Sequence, residues 1–185
     1  MKKLRPFIFI VTFLVWQGCA GTSPVPENKP LISLGKANVQ AVFEENEGLE
    51  VLPEDAKELR DFYRGGVQQK AKAEREFREK AYPEAMELYR SSNEFFQTLI
   101  QYIDEDAAAY NLFEGTDILF FPNLLTADNH LKIGLICQTM GRDWRAKYNW
   151  KRALSLVKKS LRTERTEWGL ALEQELLSLL ASKQK

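Results

Sequence analysis

Reaction chemistry has few places to start in this chain of 185 residues, which holds one histidine and two cysteines. His130 could act as a base or a metal ligand, but a zinc site takes three or four protein ligands and no His/Cys/Asp/Glu cluster surrounds it in sequence. Coming straight after Asp128 and Asn129, it is expected to be a surface residue of a helix-capping region. Ser-His-Asp catalysis would have to recruit His130, yet no G-x-S-x-G elbow is present, and no glycine loop is built to cradle phosphate. Glu114, followed by Gly115 and Thr116 between apolar stretches, is the best placed general acid for glycan cleavage; the plainer expectation is a solvated helix position. Cys137 lies in the apolar run HLKIGLICQTM, which favours a buried structural thiol over a reactive one. No catalytic set, metal or cofactor is expected from these residues.

Cys19 has a different chemistry in prospect. Lys2, Lys3 and Arg5 form a positive start, followed by an uncharged, mostly apolar run from Pro6 to Trp16. That run is too short for a hydrocarbon core of about 30 Å but suits the apolar region of a secretory signal. The Gly18-Cys19 ending resembles the lipobox of bacterial lipoproteins, although Trp16 and Gln17 stand where that motif has leucine and a small residue. The resemblance implies cleavage after residue 18 and acylation of Cys19. An ordinary cleaved signal and an uncleaved anchor are the alternatives. Loss of residues 1–18 removes three of the 26 basic side chains against 26 acidic ones, a net −3 that offers no basic surface for nucleic acid. With Cys19 acylated, Cys137 has no disulfide partner.

Three regions follow: the signal 1–18, the anchored cysteine with a proline-rich tether over 19–50, and a helical domain over 51–185. Apolar residues from Pro53 onward recur at helical spacing, with Ala56, Leu59, Tyr63, Val67, Ala71 and Phe77 on one face. Gly65-Gly66 is either a close packing spot or a local break. A second helix is expected from Pro83, and a third from about Asp104 until Pro122 breaks it. A fourth, capped by Asp128 or Asn129, stops at Gly141; a fifth spans about 143–161 and a sixth about 163–182. No segment alternates with period two. The fold class is all-α.

Residues 131–158 resemble a tetratricopeptide repeat, two antiparallel helices of about 34 residues. The matching positions are Gly134, Gly141, Ala146, Trp150 and Ala153; residues 69–97 match through Ala73, Tyr82, Ala85, Tyr89 and Ser92. The matches lie 61 positions apart, neither one repeat length nor two, so the resemblance implies an irregular tetratricopeptide-like stack of antiparallel hairpins. A compact helical bundle is the alternative. Most aromatics are expected in the core, with Trp144, Tyr148 and Trp168 as candidate partner-binding residues. The leucine-rich last helix is expected to cap the stack, with a dimer seam as the alternative. Together these resemblances imply a lipoprotein held on a bacterial membrane through acylated Cys19. Ala20 after the cysteine favours the outer membrane, facing the periplasm. Its expected role is a binding scaffold or accessory factor for an unidentified envelope protein of a secretion, pilus or transport machine. The alternatives are a peptidoglycan-active enzyme using a buried Glu and a small-ligand binding protein.

Overall fold

The computed structural model describes residues 56–105 and 120–182, with side chains placed for 61–101 and 122–182. The signal, the tether and Glu114 lie outside the described residues. Five helices follow in chain order: α1 (Ala56–Arg78), α2 (Tyr82–Glu105), α3 (Phe120–Thr139), α4 (Asp143–Thr163) and α5 (Glu167–Ser182). Among the described residues there is no β-strand, and the fold is all-α. Each helix packs on the next, and α3 also touches α5.

The chain reverses between α1 and α2, and again between α3 and α4, through two turns with the same hydrogen bonding. In the first, the Ala81 N–H donates to Glu76 O at 2.9 Å and the Lys80 N–H to Phe77 O at 3.2 Å. In the second, the Arg142 N–H donates to Cys137 O at 2.7 Å and the Gly141 N–H to Gln138 O at 2.9 Å. This is the Schellman pattern, which satisfies helix-end carbonyls and places one residue in the left-handed region. Gly141 takes that place at φ +69 and Lys80 at φ +61. A side chain there costs about 1–2 kcal/mol, so the lysine turn is the more strained of the two. A Cβ on Gly141 would meet nothing within 4 Å. Its role is therefore conformational, which corrects its expected place among the packing residues.

From these matched turns the two hairpins run in the same register. Ala73, Ala85, Tyr89 and Ser92 of the first stand 61 positions before Gly134, Ala146, Trp150 and Ala153 of the second, and all eight are buried. The physical logic is a small residue on one helix making room for a ring on the next. At Gly134 the fit is tight: a Cβ would stand 2.2 Å from Trp150 Nε1. The equivalent pair, Ala73 with Tyr89, sets a slightly larger small residue against a smaller ring. Gly65 and Gly66 do not break α1; they are a close packing spot, where a Cβ would come within 2.6 Å of Phe95 and Phe96.

Several expected boundaries move. Pro122 does not end a helix but sits in the first turn of α3, where a missing N–H leaves no intrahelical bond unmade. Asp128 and Asn129 are not caps. They lie buried in the middle of α3, which is shielded from water on nearly every side from 122 to 137. The last helix begins at Glu167, not near Thr163, because the Thr166 side chain caps it: the Gly169 N–H donates to Thr166 Oγ1 at 3.1 Å. Ala71 is exposed, outside the buried face of α1.

The Gly134–Trp150 fit predicts that Gly134→Ala destabilises the domain by about 2 kcal/mol in urea titrations, because overpacking outweighs the gain in helix propensity. Adding Trp150→Tyr, which recreates the pairing of the first hairpin, is expected to recover most of that loss.

Candidate functional site

The most concentrated polar chemistry among the described side chains is buried where α1, α2 and α3 meet. Lys70 on α1 is only 2% exposed. Its ammonium has three N–H bonds, and all three are used: to Asp128 Oδ2 at 2.5 Å, Asn129 Oδ1 at 2.9 Å and Glu74 Oε1 at 3.3 Å. The Asn129 amide donates in turn to Ser92 Oγ and Asn93 Oδ1, each at 2.9 Å. The Ser92 hydroxyl donates to Gly66 O at 2.8 Å, returning the chain of bonds to α1. Every link is satisfied, which an ion pair removed from water requires if it is not to be a heavy liability.

Tyr89 borders this network, with its ring centroid 5.5 Å from Lys70 Nζ. Its hydroxyl makes no hydrogen bond of good geometry among the described residues, although Glu74 stands close enough to bear on its ionisation. Burial first, and then the carboxylates of Glu74 and Asp128, push its pKa far above the usual phenol range. The side chains of Lys70 and Asp128 are each 3% exposed, so a dissolved reactant has no access to them. The arrangement fastens the first hairpin to the second. Among the described residues no group of three metal-ligating side chains is gathered in one place.

His130 is not a surface capping residue. It stands inside α3, half-buried, facing α4. Asn149 Nδ2 donates to Arg145 O, which leaves Asn149 Oδ1 to accept the Nδ1–H of His130 at 2.9 Å. Burial pulls the imidazole below its ordinary pKa, Asn149 opposes that, and Arg152 reinforces it. Cys137, one turn from the end of α3, is a buried free thiol.

The candidate partner-binding residues separate. Trp168 is buried in the core at the start of α5, and so is no surface anchor. Trp144 and Tyr148 are 69% and 57% exposed on α4. Between residues 142 and 163 the chain places eight basic residues and one acidic residue, Asp143. With 26 basic and 26 acidic residues overall, the remainder carries a net −7. Arg145 lies over the Trp144 ring, 5.2 Å from its centroid. Sequence reasoning missed both the Lys70 network and this concentration of charge. The first left a trace, the polar Asp128-Asn129 pair interrupting the apolar α3; the second was visible in local composition, hidden by a whole-chain balance of zero.

Comparisons with protein-family models, with curated proteins and with solved structures find no match to the chain.

Replacing Lys70 by Met strands Asp128 in the interior, with an expected loss of about 3–5 kcal/mol in denaturant titration. The double replacement Lys70→Met with Asp128→Leu removes both charges and should lose clearly less than Lys70→Met alone. For His130 the sign follows from a folded-state pKa below the unfolded value of 6.5. Below pH 6.5 the unfolded chain binds the proton more readily, so stability falls as pH drops and levels off below the folded-state pKa. His130→Asn should flatten that part of the stability–pH curve relative to the parent protein.

Proposed function

We propose that this chain is a lipoprotein of the bacterial envelope, anchored by acylated Cys19, whose helical domain is a tetratricopeptide-like scaffold for an envelope protein. The observation that carries the scaffold reading is the shared register of the two hairpins. The four small and large packing positions that carry the resemblance recur in both, all buried, on either side of turns with the same hydrogen bonding. Units that stack through such a layer hold their outer surfaces rigid, which suits presentation of a binding face better than shaping a reactive cleft. The anchor reading rests on the sequence ending at Gly18-Cys19. No helix among the described residues is long and apolar enough to cross a membrane. More than one acyl chain on Cys19 supplies stable attachment where a single chain holds only marginally.

Fractionation of cells tests the anchor. The parent protein is expected to stay with membranes through a high-salt wash and to need detergent for release, whereas Cys19→Ala should be released without detergent. A Cys19→Ala protein that still requires detergent would overturn the anchor. In-cell crosslinking tests the scaffold: a discrete envelope complex captured with the parent protein and lost with Cys19→Ala is expected, and its absence at native expression levels would sink the reading.

A further inference from the structure

The outer face of α4 has a composition that folding does not explain. Ala146, Trp150, Ala153, Val157 and Ser160 turn inward. Directly opposite, Trp144, Tyr148, Lys151, Ser155, Lys158 and Arg162 follow one another at alternating steps of four and three, which places them along one side of the helix. Eighteen positions at the helical rise make a strip about 27 Å long. Among the described residues Lys147, Lys151 and Lys158 form no ion pair, so the charge of these three lysines is not discharged by described neighbouring acids. Seven net positive charges within 22 residues repel one another, and the remainder of the chain is net negative. Such a face is complementary to an extended anionic surface. Its shape points the same way, because the strip is the ridge of a single helix with its two rings standing exposed. An acidic polypeptide would draw its anchoring from a groove, and a ridge supplies none.

We propose that α4 is a membrane-facing surface that lies along an anionic phospholipid bilayer. Lys and Arg side chains approach the phosphates, and Trp144 and Tyr148 sit at headgroup depth, where amphipathic rings collect. The proposal goes beyond the scaffold reading and does not need Cys19 to be acylated. It turns the α1–α2 hairpin, which joins the stack through α3, toward the aqueous side.

The test uses the full chain carrying Cys19→Ala, labelled with an environment-sensitive fluorophore at Ser155→Cys on the strip or, as control, at Gln68→Cys on the exposed side of α1. Cys137 is buried and does not compete for label under native conditions. Phosphatidylcholine vesicles containing phosphatidylglycerol are expected to shift the Ser155 label to the blue and to expose it to quenching by spin-labelled headgroups, with little change at Gln68. Vesicles of phosphatidylcholine alone should leave both labels unchanged. Joint reversal of Lys151, Arg152 and Lys158 to Glu should weaken partitioning by about 100-fold, with helical circular dichroism retained. The comparison of the two labels on the unreversed helix decides the matter even where the reversed variant fails to fold. Equal responses at the two positions, or none at Ser155, would overturn the proposal. So would a Ser155 label that answers to polyglutamate and not to vesicles, which would assign the face to an acidic protein segment.

Discussion

An ammonium group hidden from water must find a substitute for its hydration shell, and Lys70 finds one on two other turns of the fold. Its own helix supplies Glu74, one turn away; α3 supplies Asp128 and Asn129. Because those partners are adjacent in sequence, they can serve a single ammonium only if α3 presents them at one rotation and one height. The second hairpin is thereby fixed against the first in a way that apolar contact alone, which is not directional, would leave looser. Asn129 extends the same constraint to α2 through Ser92 and Asn93. Three helices thus share one set of hydrogen bonds, and a small rotation of any of them would leave a buried polar group without its partner.

Within each hairpin a different rule operates, that of size. Gly134 and Trp150 interlock so closely that the glycine cannot gain a methyl group without displacing the indole. The closeness has a drawback: among the described residues neither Trp150 Nε1 nor the Tyr89 hydroxyl, at the equivalent place in the first hairpin, makes a hydrogen bond of good geometry. Both rings are held by shape at the expense of a polar tip, at about 1–3 kcal/mol for each unsatisfied group. That both hairpins accept this at the same position shows that ring volume, more than polarity, is what the layer requires.

The sequence made the local features legible and the distant ones obscure. The helical period and the antiparallel hairpins at 69–97 and 131–158 could be read because each depends on residues within about 30 positions of one another, and the offset of 61 followed from comparing two such local patterns. Asp128 and Asn129 were misread as caps for the same reason. A polar pair before an apolar run looks like a helix start until its partner is known, and Lys70 is 58 and 59 positions away. The displaced start of α3 then carried His130 with it, from a helix end to a buried face. Pro122 was misjudged because its effect depends on where the helix begins: in the first turn it is harmless, in the interior it is disruptive. Trp168 could not be sorted from Trp144 by type alone. One follows a threonine cap and turns into the core, and the other lies on the far side of its helix.

The segregation of charge has a colloidal consequence. A protein with equal numbers of acids and bases ordinarily shows little preference between exchangers of opposite sign, but here residues 142–163 carry a net +7 and the rest of the chain a net −7. Such segregation lets a chain hold to resins of either sign at the pH where its net charge is zero. At low ionic strength the basic side of one molecule attracts the acidic part of the next, and within about one Debye length nothing screens that attraction. Added salt shortens the distance over which one molecule feels the next, so solubility should rise with ionic strength before it falls.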